Sequence, residues 1–227
     1  MINWDNQKGV NLYNLDCMEM MASMPDNWAD LAIVDPPYGL GESKSNESRN
    51  RVATNHYVAK NWDSRAPSVE YFNSLQRVSK NQIIWGANHF MQIISEGSSC
   101  WIVWDKQNGN CDFADCELAF TSFKTAVRKF EFRWAGMFQG DMANKEKRIH
   151  PTQKPVKLYD WLLSNYAKPN QRILDTHLGS GSSAIAAHYF GCDFVGCEID
   201  KDYYDAAKER FNNETRQLSL LDQDESV

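Results

Sequence analysis

The chain has 227 residues and no apolar run near the ~20 residues that a membrane-spanning helix needs. Its first stretch, Met1–Val10, is polar and lacks the apolar core of a secretory signal, so the default expectation is a cytoplasmic protein. The six cysteines include no Cys-x-x-Cys pair; the close pairs, Cys111/Cys116 and Cys192/Cys197, are too widely spaced for an ordinary zinc site. They read as reduced, buried thiols, and no metal site is expected. There is no internal repeat and no long low-complexity tract, which excludes solenoids and fibrous folds. Basic charge is in deficit, 24 Lys+Arg against 30 Asp+Glu, and a net charge of −6 excludes a general polyanion binder.

What charge there is lies unevenly. Between Lys124 and Lys157 the bases outnumber the acids nine to three, whereas between Gly191 and Val227 the acids outnumber the bases ten to four. Asymmetry of that kind can mark a nucleic-acid face. Short apolar runs alternate with helical patterns, as in a mainly parallel α/β sheet. The expected strands are Leu31–Val34, Gln82–Trp85, Trp101–Trp104, Arg172–Leu174 and Phe194–Ile199. The expected helices include Ser68–Val78, Val156–Tyr166, Ser182–Tyr189 and Lys201–Phe211. The whole chain, 1–227, reads as a single domain with two segments outside the sheet. One is a polar loop, Gly39–Ala66; the other, Lys106–Ile149, reads as a small β insertion whose alternating Phe130, Phe132 and Trp134 precede a basic loop. From Arg216 to Val227 an acidic tail is expected.

Two motifs carry chemistry. Asp35-Pro36-Pro37-Tyr38 follows the apolar run Leu31–Val34, which sets a carboxylate and an aromatic ring on a proline-stiffened loop at the carboxyl end of a buried strand. Ligands of open α/β sheets bind there. An acid beside a ring can hold a flat base by its edge and its face, which suggests amino-group chemistry on a nucleobase. The second motif runs from Ile173 to Ala184: a strand, then Gly179-x-Gly181, then a helix. The glycines allow a sharp turn and close approach to a ligand, and Glu198, seventeen residues on, stands where an acid accepts hydrogen bonds from ribose hydroxyls. About 46 residues follow Gly181, too few for a dinucleotide domain built forward from that loop. The nucleoside-binding half is therefore the C-terminal one.

With the two motifs in this order, the chain resembles the S-adenosylmethionine-dependent DNA amino-methyltransferases, in the permuted class whose catalytic motif precedes the cofactor motif. Asp35-Pro36-Pro37-Tyr38 matches the catalytic motif and Asp175-x-x-x-Gly179-Ser180-Gly181-Ser182 the cofactor loop. His150-Pro151-Thr152-Gln153-Lys154-Pro155 looks like the segment that closes over the methionine end of the cofactor, and Leu15-Asp16-Cys17 like the piece near its adenine. Thr176 and His177 stand where the family usually has Pro and Phe.

The resemblance implies a Rossmann-like methyltransferase sheet with helices on both faces, and 106–149 as an inserted target-recognition region. It implies S-adenosylmethionine as cofactor, held by Asp16, Cys17, Thr152, Lys154, Asp175, Gly179, Ser180, Gly181, Ser182, Glu198 and Ile199. Glu198 would bind the ribose diol, Asp16 would sit near the adenine amine and Lys154 near the carboxylate. Asp35 and the Pro36 carbonyl would accept the two N–H bonds of an exocyclic amine, while Tyr38 would stack on a base flipped out of double-stranded DNA. Asp at position 35 leans toward adenine N6, with cytosine N4 as the alternative. Arg128, Lys129, Arg133, Lys145, Lys147 and Arg148 would meet phosphates. Gln217-Leu218-Ser219-Leu220-Leu221 resembles a peptide that docks on a sliding clamp, and a homodimer is a further possibility. The rival readings are a non-catalytic DNA-binding relative, an NAD-dependent oxidoreductase, and a methyltransferase acting on RNA or protein.

Overall fold

The computed structural model describes residues 2–39, 66–94, 97–109, 114–135 and 138–221, the side chains from 217 onward excepted. Nearly all of the expected Gly39–Ala66 loop and the end of the acidic tail lie outside the described residues. In chain order the elements are β1 (Val10–Asn14), α1 (Cys17–Ser23), β2 (Leu31–Val34), α2 (Val69–Val78), β3 (Gln82–Trp85), a 3-10 turn (Ala87–His89), β4 (Trp101–Asp105), β5 (Cys116–Thr121) and β6 (Arg128–Glu131). There follow β7 (Trp134–Ala135), β8 (Phe138–Gln139), α3 (Val156–Tyr166), β9 (Arg172–Asp175), α4 (Ser182–Phe190), β10 (Asp193–Glu198) and α5 (Lys201–Leu221).

One sheet holds eight strands in the order β1-β10-β9-β2-β3-β5-β4-β6. All run parallel except β5, which is antiparallel to both of its neighbours. The central strands β2 and β3 are buried at every residue, because helices cover both faces of the sheet. Continuous apolar runs are what such strands require. Alternation along β2 divides the core: Ala32 and Val34 meet Met20, Met21, Phe72 and Leu75 from α1 and α2. Leu31 and Ile33 meet Leu158, Leu162, Ala184 and Ala187 from α3 and α4 on the opposite face.

The helices begin where local chemistry allows. Asp16 caps α1, its Oδ1 accepting from the amides of Met18 (2.7 Å) and Glu19 (3.3 Å). The three-and-four spacing of Tyr71, Phe72, Leu75 and Val78 buries one face of α2. Gly191, at φ 79°, closes α4 in the left-handed region that glycine adopts without steric cost.

Chain order reverses between β2 and β9. From β2 the chain moves outward through β3, and from β9 it moves the other way through β10. The register Leu31↔Ile173 and Ala32↔Leu174 aligns the two carboxyl ends, so the segments after Val34 and after Asp175 emerge side by side. This is the switch point at which α/β sheets take ligands.

Two expectations are corrected. Lys106–Ile149 is not wholly an insertion: β5 and β6 belong to the main sheet, and only the β7–β8 hairpin and residues 140–149 stand apart from it. The signal was obscured because β5 opens with exposed or half-buried Cys116 and Glu117, and β6 is a mostly exposed edge strand, Arg-Lys-Phe-Glu. The last helix does not end at Phe211; α5 continues to Leu221, with no Gly or Pro to stop it. The segment 217–221 is therefore helical in its backbone rather than the start of a loose tail. Among the described residues no helix is long and apolar enough to cross a membrane.

Leu162 is fully buried between α3 and the sheet. Leu162→Ala should lower unfolding stability by about 2–5 kcal/mol, measured as a shift of the urea midpoint at unchanged slope.

Candidate active site

A cavity opens at the switch point. It is lined on one side by Asp35 and Pro37, and on the other by Thr176, His177, Gly179, Ser180, Glu198 and Ile199. Leu15, Asp16 and Cys17 close one end; His150, Thr152, Gln153 and Lys154 cover it from the segment that leads into α3. Ten of the residues expected from the sequence thus share one space: Asp16, Cys17, Asp35, Pro37, Thr152, Lys154, Gly179, Ser180, Glu198 and Ile199. Pro36, Tyr38, Asp175, Gly181 and Ser182 stand behind or beside it.

The glycine loop is tied from three directions. Glu198 accepts from the Gly179 amide through Oε2 (2.9 Å) and from the Asp200 amide through Oε1 (3.0 Å). Burial raises its carboxyl above the usual range while these amides lower it. Asp175, fully enclosed, accepts from Ser183 Oγ (2.5 Å) and from the His177 amide (3.0 Å). Burial pushes Asp175 up to about 7, against the pull of those two donors. From the outer side Arg210 on α5 donates to the Ser180 carbonyl (3.1 Å) and Ser182 Oγ (2.9 Å), and its other nitrogen meets Glu146 at 2.8 Å. The sequence reading missed both members of that pair. A buried Arg among surface residues of a helix leaves no mark in the pattern.

His177 keeps the aromatic character of the position. Burial lowers its pKa to about 4, so the ring is neutral at neutral pH. It packs edge-on to Tyr71 (5.4 Å between centroids), and its Nδ1 lies 2.9 Å from Thr176 Oγ1. Cys17, shut in beside Asp16, is pushed up to about 12 and remains a thiol.

The Asp35 side is a charge ladder. Asp35 Oδ1 accepts from the Tyr38 hydroxyl at 2.8 Å, and Oδ2 from Lys154 Nζ at 2.6 Å. Lys154 also meets Glu117 at 2.9 Å, and Glu117 is paired in turn with Lys106. Burial would raise the Glu117 carboxyl, but Lys154 and Lys106 reverse this and hold it at about 2. At Asp35 burial wins, and the carboxyl sits above the ordinary range although Lys154 pulls it down. Burial also holds the Tyr38 hydroxyl protonated, far above its usual pKa, so it remains a donor to Asp35. Lys154 was expected beside the cofactor's carboxylate; in the structure its ammonium lies in the Asp35 half. Glu117 was not singled out, although an acid entering the run Leu118-Ala119-Phe120 was a usable signal.

The Tyr38 ring is seated by its neighbours. It stacks on His89 at 5.0 Å with an 18° tilt, and Phe90 meets it edge-on. Gly86, at φ 65°, lies so close to the ring that a Cβ there would fall 2.1 Å from a ring carbon. No other residue type fits that position without moving Tyr38.

The six expected phosphate contacts are not gathered together. Lys145 and Lys147 are exposed and flank Glu146, whose side chain points inward to Arg210. Arg133 covers the Phe138 ring and Arg148 the Trp134 ring, both in the β7–β8 region. Lys129 is paired with Glu131 and with Asp105. Arg128 shares a second cavity with Asp30, Asn81, Lys168 and Gln171, residues that precede strands. It therefore stands at the amino end of the sheet, opposite Asp35. Among the described residues no cluster of His, Cys, Asp and Glu could hold a metal ion.

Comparison with known proteins agrees with this geometry. Residues 122–209 match a sequence family described as DNA methylase, of the N6/N4 type. The chain is 25% identical over 238 aligned residues to the Type II methyltransferase M.HinfI of Haemophilus influenzae, covering 86% of this chain and 66% of that protein. It thus spans about two thirds of that relative's length. Among solved structures, the M1.HpyAVI–SAM complex superposes with a TM-score of 0.56 at 21% identity, over 88% of this chain and 99% of that one. PvuII DNA methyltransferase, cytosine-N4-specific, superposes with a TM-score of 0.59 at 12% identity, over 93% of each chain. The structural likenesses establish the α/β fold.

Asp175 supplies a test of the buried charges. Its pKa is raised in the folded state, so between about pH 4 and 7 the folded protein holds more protons than the unfolded chain. The contribution of Asp175 to stability then falls as pH rises through that window. Asp175→Asn, which mimics the protonated acid, should flatten the fall and unfold at higher urea than the parent at pH 8, read from urea midpoints at pH 5 and pH 8.

Proposed function

We propose that the chain is a member of the adenine-N6/cytosine-N4 DNA methyltransferase family, which it resembles over residues 122–209 and in its relatives, and that it transfers the methyl group of S-adenosylmethionine to the exocyclic amine of a flipped-out base in double-stranded DNA, with adenine N6 as the acceptor. The observation that carries the reading is the shared cavity: Asp35, at the end of β2, faces the same space as the Gly179–Ser180 turn, Glu198 and Asp16. An acceptor-orienting acid and a nucleoside-binding loop have no reason to share a cavity unless two substrates meet there.

The residues fit the cofactor. Positive φ at Gly179 (52°) brings backbone close to the cavity without a side chain in the way. The Glu198 carboxylate, already committed to two amides, retains lone pairs for a ribose diol. Asp16 uses one oxygen for the α1 cap and keeps the other for the adenine end. Neutral His177 offers an apolar-faced ring where the family has Phe. When bound, the cofactor supplies an electrophilic methyl group on a sulfonium.

The protein's own contribution is orientation. An exocyclic amine is a weak nucleophile because its lone pair is delocalised into the base. Asp35 and the Pro36 carbonyl accept its two N–H bonds and leave the lone pair toward the methyl group, and the Tyr38 face holds the ring. Stacking of that kind is worth about 1–3 kcal/mol per base, comparable to the few kcal/mol that flipping costs. The nitrogen gives up one proton on transfer, to Asp35 or water. Holding donor and acceptor in line carries much of the rate. Phosphates would be met by Lys145, Lys147, Arg133 and Arg148 around the β7–β8 region, making binding steeply salt-dependent.

Asp at position 35 favours adenine; the likeness to the cytosine-N4-specific PvuII enzyme keeps the second acceptor in play. Purified protein incubated with labelled S-adenosylmethionine and DNA should give N6-methyladenine on nucleoside mass spectrometry, and N4-methylcytosine alone would reassign the acceptor. Asp35→Ala should abolish transfer while cofactor binding, followed by calorimetry, stays within about threefold, since the side chain removed faces the amine.

A further inference from the structure

The Lys154 ammonium is enclosed, and the company it keeps is one-sided. It meets Asp35 Oδ2 at 2.6 Å, Glu117 Oε2 at 2.9 Å and the Tyr38 hydroxyl at 3.3 Å. It lies over the Trp85 ring at 5.5 Å and the Tyr38 ring at 5.8 Å. None of these contacts is to the glycine loop, Glu198 or Asp16. Its side chain is 5% exposed, so the ammonium has no water to retreat to. The cation is fixed between two acids on different elements, the loop after β2 and strand β5.

We propose that Lys154 is a positioning residue of the methyl-acceptor half, seated by Glu117, and that it acts by keeping Asp35 ionised and aimed at the incoming amine. The inference rests on the methyltransferase reading of the site. Only an ionised Asp35 has both oxygens free of protons to accept an N–H, and a carboxylate this enclosed stays ionised at neutral pH only beside a cation. Glu117 supplies the second anchor. With Lys106 on its far side, Glu117 stays charged and cannot drift. The ladder Lys106–Glu117–Lys154–Asp35 alternates in sign, and each end is closed: one by a lysine, the other by the Tyr38 hydroxyl. The remaining titratable groups that face Asp35 are Asp175 at the end of β9 and Tyr159 on α3, and neither is a cation. Lys154 is the one positive charge in contact with Asp35 among the described residues.

The test is Lys154→Met, set beside Lys154→Arg and the double variant Lys154→Met/Glu117→Gln. Without the cation, Asp35 and Glu117 become neighbouring buried acids that share a proton. In single-turnover methyl transfer with saturating cofactor, the acid limb of the pH–rate profile should move to higher pH, by about one pH unit or more. At pH values below the limb the rate should fall about tenfold for each unit the limb moves, because the ionised fraction of Asp35 falls in that proportion. Lys154→Arg keeps a charge and should hold the limb near its parent position. The double variant removes the competing acid and should bring the limb back down. Cofactor affinity, measured by calorimetry without DNA, should change by less than about threefold in all three.

Cofactor binding weakened tenfold or more with the acid limb unmoved would overturn the proposal and place Lys154 on the cofactor. A second measurement needs no catalysis: the Asp35 carboxyl, identified as the 13C signal lost in Asp35→Asn, should titrate at higher pH in Lys154→Met than in the parent. An unmoved titration also overturns the proposal. If the parent protein methylates no DNA, the function reading fails, while the carboxyl titration still decides what Lys154 does.

Discussion

A carboxylate shut away from water must keep either a proton or a cation. The Asp35 end of the sheet is arranged around that requirement. Asp35, on the loop after β2, and Glu117, in β5, sit close enough to share Lys154. Two such acids without the lysine could not both stay charged, and removing one partner of a buried pair typically costs several kcal/mol. The ladder therefore joins four pieces of chain: the loop after β2, the residue after β4, strand β5 and the segment before α3. It also gives a reason for the one reversed strand. Slotted between β3 and β4, β5 brings Glu117 to the carboxyl side of the sheet and lays the Leu118 carbonyl against the Gly86 amide, 2.9 Å away. That amide belongs to the residue on which the Tyr38 ring rests.

The cofactor half is built by different physics. There the work falls to backbone amides, to Glu198 and Asp175 as acceptors, and to Arg210 behind the loop. Arg210 meets Glu146, whose Oε1 accepts from the Val156 amide at the start of α3 and whose backbone pairs with the Gln139 side chain. One acid thus ties the glycine loop to the β7–β8 hairpin and to α3, between two exposed lysines. The two halves meet at α3: Tyr159 lines the cavity from that helix, and Lys154 lies just before it.

The parts legible in the sequence were those in which one physical cause dominates. Buried parallel strands must be apolar throughout, so β2 and β3 stood out at their observed bounds, and β9 and β10 to within a residue. The tetrapeptide at Asp35, the glycines at 179 and 181 and the acid at 198 declared themselves because spacing alone restricts what they can do. Less legible were elements decided by neighbours. An edge strand such as β6 satisfies water on one side and so looks like a loop. In β5 a charged residue interrupts the apolar pattern, and its meaning depends on a lysine 37 positions away in the chain. The partners of the Lys154 ammonium were illegible for the same reason: a motif says which segment covers the site, and only packing says which acids the ammonium will find.

Strand β1 has one neighbour in the sheet, β10, and the register pairs Val10 with Phe194, Leu12 with Gly196 and Asn14 with Glu198. A ribosome delivers the first of these partners 184 positions before the second. During synthesis β2, β3, β5 and β4 are all available before β9 and β10 exist, so the acid-bearing half can begin to condense while the nucleoside-bearing half has only its outermost strand. That strand must wait with its ladder unpaired, and its mixed sequence, Val-Asn-Leu-Tyr-Asn, is poorly suited to pairing with anything else in the meantime. Strand β10, made after every other described strand, closes the sheet on that side and brings Glu198 to the cavity, so that wall of the cavity is completed only once β10 has been made.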